Sequence, residues 1–307
     1  MRVRRRLTGD ATTKTILVLG AGGQVGHALC AAIGPDGARP IGRTRQAADI
    51  TDAGTVEAAI SECAADLVVN AAAFTTVDLA ESQPESAFAV NRDGAAIVAD
   101  RCARSGCPLI HLSTDYVFDG EKPGPYREDD AIALVGVYGR SKAAGDAAVL
   151  ETWDRVVIMR TAWIFSAQQN NFLTTMLRLG GERDAVSMVA DQHGGPTAAN
   201  DIAAAVLAIA SAVLDGKQDG FGVFHFCGTP TTTWYGFARA IFEGAKRLGL
   251  PVPKDVVPIT TKDYPTTARR PANSVLDCRR LAETYGIAQP DWRASLGHYL
   301  ASLTKEK

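Results

Sequence analysis

The chain lacks an excess of either charge. Its 32 Lys and Arg stand against 34 Asp and Glu, for a formal net charge of -2, so no general basic surface is available to hold nucleic acid. A small anion gripped by a few placed arginines stays compatible with that balance. No apolar run approaches the roughly 18 residues that a membrane helix needs, and no membrane association is expected. The basic start, Met1 to Arg6, is followed by no apolar signal core, and residues 1–13 read as a flexible extension. Paired cysteines are missing too: Cys30, Cys63, Cys102, Cys107, Cys227 and Cys278 show no C-x-x-C spacing. That argues against a zinc site, and for reduced thiols in a cytoplasm. Repeats and low-complexity tracts are also absent, which excludes solenoids and disordered linkers.

What is present is core material: 307 residues, 46% hydrophobic and only 21% charged, enough for one large domain or two closely associated lobes. In the first half, β-branched runs at 15–19, 66–70, 108–112 and 155–159 alternate with alanine-rich helical runs near 25–33, 56–63, 84–105 and 138–150. Strand and helix in strict alternation predict parallel strands joined by crossover helices. The expected fold is α/β, a Rossmann-type doubly wound parallel sheet over 14–165. After Arg160 glycine and proline become more frequent, and a smaller mixed α/β lobe is expected over 166–307. The apolar helix near 200–212 leads to the reading that 189–215 returns to the first domain.

Gly20-Ala-Gly-Gly23-Gln24-Val25-Gly26 directly follows the first predicted strand and opens a helix. In that context Gly20 serves the tight turn, Gly23 the approach of backbone to a pyrophosphate and Gly26 close helix–sheet packing, while the helix start offers free N–H groups. The 14–165 region therefore reads as a dinucleotide-binding domain. An acidic residue at the end of the second strand would bind an adenosine 2′-hydroxyl, and an arginine would accept a 2′-phosphate. The sequence there is Gly42-Arg43-Thr44-Arg45, so NADPH is favoured, with NADH left open.

Tyr138 and Lys142 stand at i and i+4, on one helix face. A lysine cation beside a phenol favours its ionised form, and a phenol so tuned can exchange a proton with a carbonyl or carbinol oxygen. Thr114 ends a predicted parallel strand, the edge where doubly wound folds bind ligands, and is placed to hydrogen-bond a substrate carbonyl. Glycine turn, strand-end threonine and Tyr/Lys pair, in this order, resemble the extended short-chain dehydrogenase/reductases.

The likeness narrows to the dTDP-4-dehydrorhamnose reductases through seven collinear blocks: 23–26, 69–81, 113–120, 137–142, 160–163, 191–197 and 270–274. The resemblance implies reduction of dTDP-4-dehydro-6-deoxy-L-mannose to dTDP-L-rhamnose, the last step of dTDP-rhamnose synthesis. By the same resemblance Asp49 and Ile50 lie near the adenine and Ala73, Phe74 and Thr75 line the cofactor. Val77, Thr114, Asp115 and Trp163 meet the sugar, and Arg270 is a candidate for the nucleotide diphosphate. Related dehydratases carry Thr-Asp-Glu at the strand end, whereas this chain has Thr114-Asp115-Tyr116, so an elimination has no evident base. Another nucleotide-sugar 4-ketoreductase or epimerase, or a non-catalytic NADP-binding regulatory subunit, stays open at this point. Some relatives bind magnesium through a glutamate just after the glycine turn; here Gly26-His27-Ala28 offers no carboxylate, so no metal is expected and a homodimer stays open.

Overall fold

The computed structural model describes residues 14–34 and 37–303; the extension read over 1–13 lies outside them. Six strands form one parallel sheet, in the order Gly222–His225, Val156–Thr161, Leu109–Thr114, Leu67–Asn70, Thr15–Leu19, Arg39–Arg43. The order reverses beside Thr15–Leu19, which makes a switch-point crevice at the carboxyl ends of that strand and of Leu67–Asn70.

Alternation along Thr15–Leu19 divides the core between two faces, because successive strand side chains point oppositely. Ile16 and Val18 pack with helices Gln24–Ala31 and Ala199–Leu214. Leu17 and Leu19 pack with helices Ala53–Glu62 and Ala95–Ser105. All four side chains are buried, which is what a parallel sheet covered by helices on both sides demands.

The second lobe has its own core, where Phe165, Leu173, Met176, Phe237, Ile241 and Trp292 meet. Helices Phe172–Glu182, Trp234–Arg247 and Trp292–Leu303 surround a two-stranded parallel pair, Ala185–Val189 with Asp255–Ile259. One segment departs from the sequence-based boundary. Gly222–His225, read as part of the lobe over 166–307, pairs with Val156–Thr161 and completes the main sheet. Its four residues are too short to show a period, and only pairing reveals where they belong. Among the described residues no helix is long and apolar enough to cross a membrane, and no group of three or more His, Cys, Asp or Glu is placed to hold a metal.

Candidate functional site

The glycine turn is built from backbone. Gly20 takes a left-handed φ of 80°, and a Cβ there would lie 2.5 Å from the Ala72 nitrogen. At Gly26 a Cβ would lie 2.2 Å from the Gly20 carbonyl oxygen, so any side chain would push helix Gln24–Ala31 off the turn. No side chain caps that helix at Gly23, which leaves its first N–H groups for a ligand anion. These features fit a dinucleotide pyrophosphate.

Two cavities meet at this turn. One, of about 260 Å³, is lined by Gly20, Gly23, Asp49, Ile50, Ala73 and Phe74, all expected from sequence, and also by Arg45. Arg43 is not among its lining residues. Its guanidinium instead turns toward Glu62, 3.9 Å away, and its carbonyl accepts the Gly20 and Ala21 N–H groups. Of the two arginines that the sequence offers for a 2′-phosphate, Arg45 lines this cavity and is held by Asp49 at 3.1 Å. Two residues further along, the chain has left the strand and can aim a side chain back at the crevice.

The second cavity, about 360 Å³, brings together Gln24, Val25, Thr75, Val77, Thr114, Asp115, Tyr138, Lys142 and Trp163. Helix Val137–Thr152 carries Tyr138 and Lys142, and its start is capped from outside: Glu81 Oε1 accepts the Val137 N–H at 2.8 Å. Both side chains are buried. Burial drives the Tyr138 phenol well above its ordinary pKa; contact with Thr114 lowers it in part, and the negative charge of Asp115 and Asp146 adds to the rise. Burial thereby favours the neutral, proton-donating form of Tyr138. Burial brings the Lys142 ammonium down to about 8 against a smaller opposing pull from Asp146, and the ammonium donates to the Leu112 carbonyl at 2.7 Å.

Thr114 spends its only hydroxyl proton on Asp115 Oδ1, at 3.0 Å, while its oxygen accepts the Tyr116 N–H. As it stands Thr114 is an acceptor beside Tyr138, and polarising a carbonyl requires its proton to swing away from Asp115. Burial raises the Asp115 carboxyl to about 6, opposed by hydrogen bonds from Ser274 and Thr114. A partly protonated Asp115 releases the Thr114 proton more readily.

The opposite wall of that cavity is built from distant segments. Trp163 adopts a left-handed φ of 49°, strain of the kind that collects at ligand sites. It stacks on Trp234 at 3.7 Å, and a Cβ on Gly194 would strike its ring at 2.5 Å. A third cavity, of about 460 Å³, is lined by Trp234, Arg270, Asp78 and Tyr116 among others. There Arg270 pairs with Asp78 and donates to the Tyr116 hydroxyl at 3.3 Å. Tyr116 in turn sets its ring edge-on to Tyr138, 5.3 Å between centroids. Thr233 caps helix Trp234–Arg247 and pairs with His193, and Arg269 forms an exposed pair with Glu121.

Sequence reasoning missed Asn91. This buried residue lies in a π-helical stretch, Ala89–Gly94, and its amide exchanges hydrogen bonds with both backbone groups of Phe74 and donates to Ser141. It braces the cofactor-side loop against the Tyr/Lys helix, and π-turns recur at functional sites. No local pattern marks it, because both partners lie far along the chain.

Comparison with known proteins identifies the family. The model of the RmlD substrate binding domain family matches residues 14–305. A dTDP-4-dehydrorhamnose reductase of Aggregatibacter actinomycetemcomitans is 42% identical over 284 residues, 92% of this chain and 96% of that one. The crystal structure of the Bacillus anthracis dTDP-4-dehydrorhamnose reductase, in complex with NADP, superposes with a TM-score of 0.85 at 31% identity, covering 95% of this chain and all of the other. That of a Clostridium acetobutylicum ortholog gives a TM-score of 0.86 at 34% identity, over 94% of this chain and 99% of that one. By sequence and by structure, the chain belongs to the dTDP-4-dehydrorhamnose reductase family.

Proposed function

We propose that this protein reduces the 4-keto group of dTDP-4-dehydro-6-deoxy-L-mannose to give dTDP-L-rhamnose, with NADPH as donor. The observation that carries the reading is the meeting of a buried Tyr138 with Thr114 and Lys142 in the cavity that adjoins the glycine turn. When bound, the reduced dinucleotide supplies a hydride to C4. The protein's part is the proton. Tyr138 gives its phenolic proton to the oxygen that becomes the alcohol, a transfer for which a phenol kept neutral in the ground state is suited. Thr114 donates to the same oxygen once its hydroxyl leaves Asp115, and Lys142 grips the nicotinamide ribose.

Gly23, Gln24 and Val25 hold the pyrophosphate through the helix start, and Arg45 accepts the 2′-phosphate that separates NADPH from NADH. On the other side Val77 and Asp115 border the sugar, and the Trp163 ring forms its wall. Arg270 meets the diphosphate, exchanging Asp78 for the ligand anion. Tyr116 occupies the place of a dehydratase glutamate, which favours plain carbonyl reduction over elimination. The six cysteines are all free, in keeping with a reducing cytoplasm as the place of work. The test is the loss of NADPH absorbance on adding dTDP-4-dehydro-6-deoxy-L-mannose. Tight NADPH binding without turnover would overturn the enzymatic reading in favour of a regulatory subunit.

A further inference from the structure

Behind Lys142 lies a buried polar cluster that the proposed reaction does not use. Asp146 follows Lys142 by one helical turn, on the same buried face, and is 2% exposed. Its Oδ2 accepts from Arg160 Nε at 3.1 Å, a buried ion pair on the neighbouring strand Val156–Thr161. Among the described residues its Oδ1 has no hydrogen-bond partner, so its charge is not fully screened by donors. His111 Nε2 stands 3.9 Å from that oxygen and 3.5 Å from Lys142 Nζ.

The histidine's protonation follows from its other neighbour. Asn70 Oδ1 accepts the Ala72 N–H at 3.1 Å, which turns the Asn70 amide nitrogen toward His111 Nδ1 at 3.2 Å. Nδ1 is thus an acceptor, and a neutral His111 carries its proton on Nε2, between Asp146 and Lys142. Burial and the adjacent Lys142 cation hold His111 well below its usual pKa, hence neutral. The groups facing Lys142 are His111 from strand Leu109–Thr114, Asp115 from the turn after it, and Tyr138 and Asp146 from its own helix; Arg160 stands behind Asp146. Asp146 is the one full negative charge among them that Arg160 fixes in place.

We infer that Asp146 is a positioning residue for the reaction centre: anchored by Arg160 and bordered by neutral His111, it supplies the buried negative charge that keeps the Lys142 ammonium protonated. A buried cation without such a partner sheds its proton. The same carboxylate also helps keep the Tyr138 phenol protonated, so one anchored charge serves both groups. Taken as a role in catalysis, this rests on the reductase reading above; taken as a statement about charge, it does not.

The test is therefore double. In protein labelled at the lysine ε-carbons, the Lys142 resonance, identified by its loss in Lys142→Arg, is titrated by NMR. It should move to a midpoint lower by about one pH unit or more in Asp146→Asn. In parallel, the alkaline limb of kcat/KM for NADPH should shift down by the same amount, whereas a merely structural role would lower activity without moving the limb. Should Asp146→Asn fail to fold because Arg160 is left unpaired, the double variant Asp146→Asn with Arg160→Gln removes both charges and should show a smaller move in the same downward direction, because the nearer charge is Asp146. An unmoved Lys142 midpoint in the folded variant would overturn the inference. An inactive parent protein would refute the proposed reaction while the NMR titration still decides the role of Asp146.

Discussion

The two sides of the cleft are made of different materials. Around the glycine turn much of the surface is main chain and small residues, Gly20, Gly23, Ala73 and an uncapped helix start, with Arg45, Ile50 and Phe74 beside them. On the side proposed to take the sugar it is long side chains from segments that meet only in three dimensions: Trp163 on Trp234, and Arg270 on Asp78 and Tyr116. The difference follows from the ligands. A pyrophosphate is recognised by N–H groups that a local turn can present, whereas a particular sugar and base need shaped walls, which only side chains provide.

That contrast yields predictions of decreasing size. Tyr138→Phe removes the proton donor shared by both sides, and turnover should fall by roughly 10² to 10⁴ with NADPH binding, measured by fluorescence titration, nearly intact. Unchanged turnover would refute the assigned role. Gly26→Ala should cost about 1–3 kcal/mol in stability through the clash with the Gly20 carbonyl, seen as a lower denaturation midpoint, and should weaken NADPH binding without altering nucleotide-sugar binding. Arg45→Ala should lose about tenfold in the preference for NADPH over NADH, the scale of one charge-assisted hydrogen bond. Arg43→Ala should leave that ratio alone; the reverse result would assign the 2′-phosphate to Arg43. Trp234→Ala should raise KM for the nucleotide sugar several-fold, given the roughly 0.5–1.5 kcal/mol of a stacked aromatic pair, with KM for NADPH untouched. Across all of these, kcat/KM for NADPH should decline above about pH 8, as Lys142 loses its proton.

Legibility in the sequence follows the same division. The strand at 15–19, the glycine turn, the strand-end Thr114 and the Tyr138/Lys142 spacing are local patterns, and each takes the backbone form that its pattern implies. Arg43 and Arg45 could not be separated, because two residues apart in a strand-to-loop transition they differ only in where the backbone aims them. The strand Gly222–His225 was hidden by its shortness. Asn91 and Asp146 were hidden because a buried polar residue within an alanine-rich helix carries no period of its own, and only its partners reveal it.

By itself the sequence determined the layered α/β architecture, since hydrophobic period and turn chemistry act over a few residues and dictate strand, turn and helix. It also determined, through collinear blocks, the family. The tertiary structure alone decided the protonation of the centre. Tyr138 and Lys142 sit at the same spacing in any helix, but how readily each keeps its proton depends on burial and on the charges of Asp115 and Asp146. Those charges arrive from separate elements, and electrostatic energy depends on distance through space rather than along the chain.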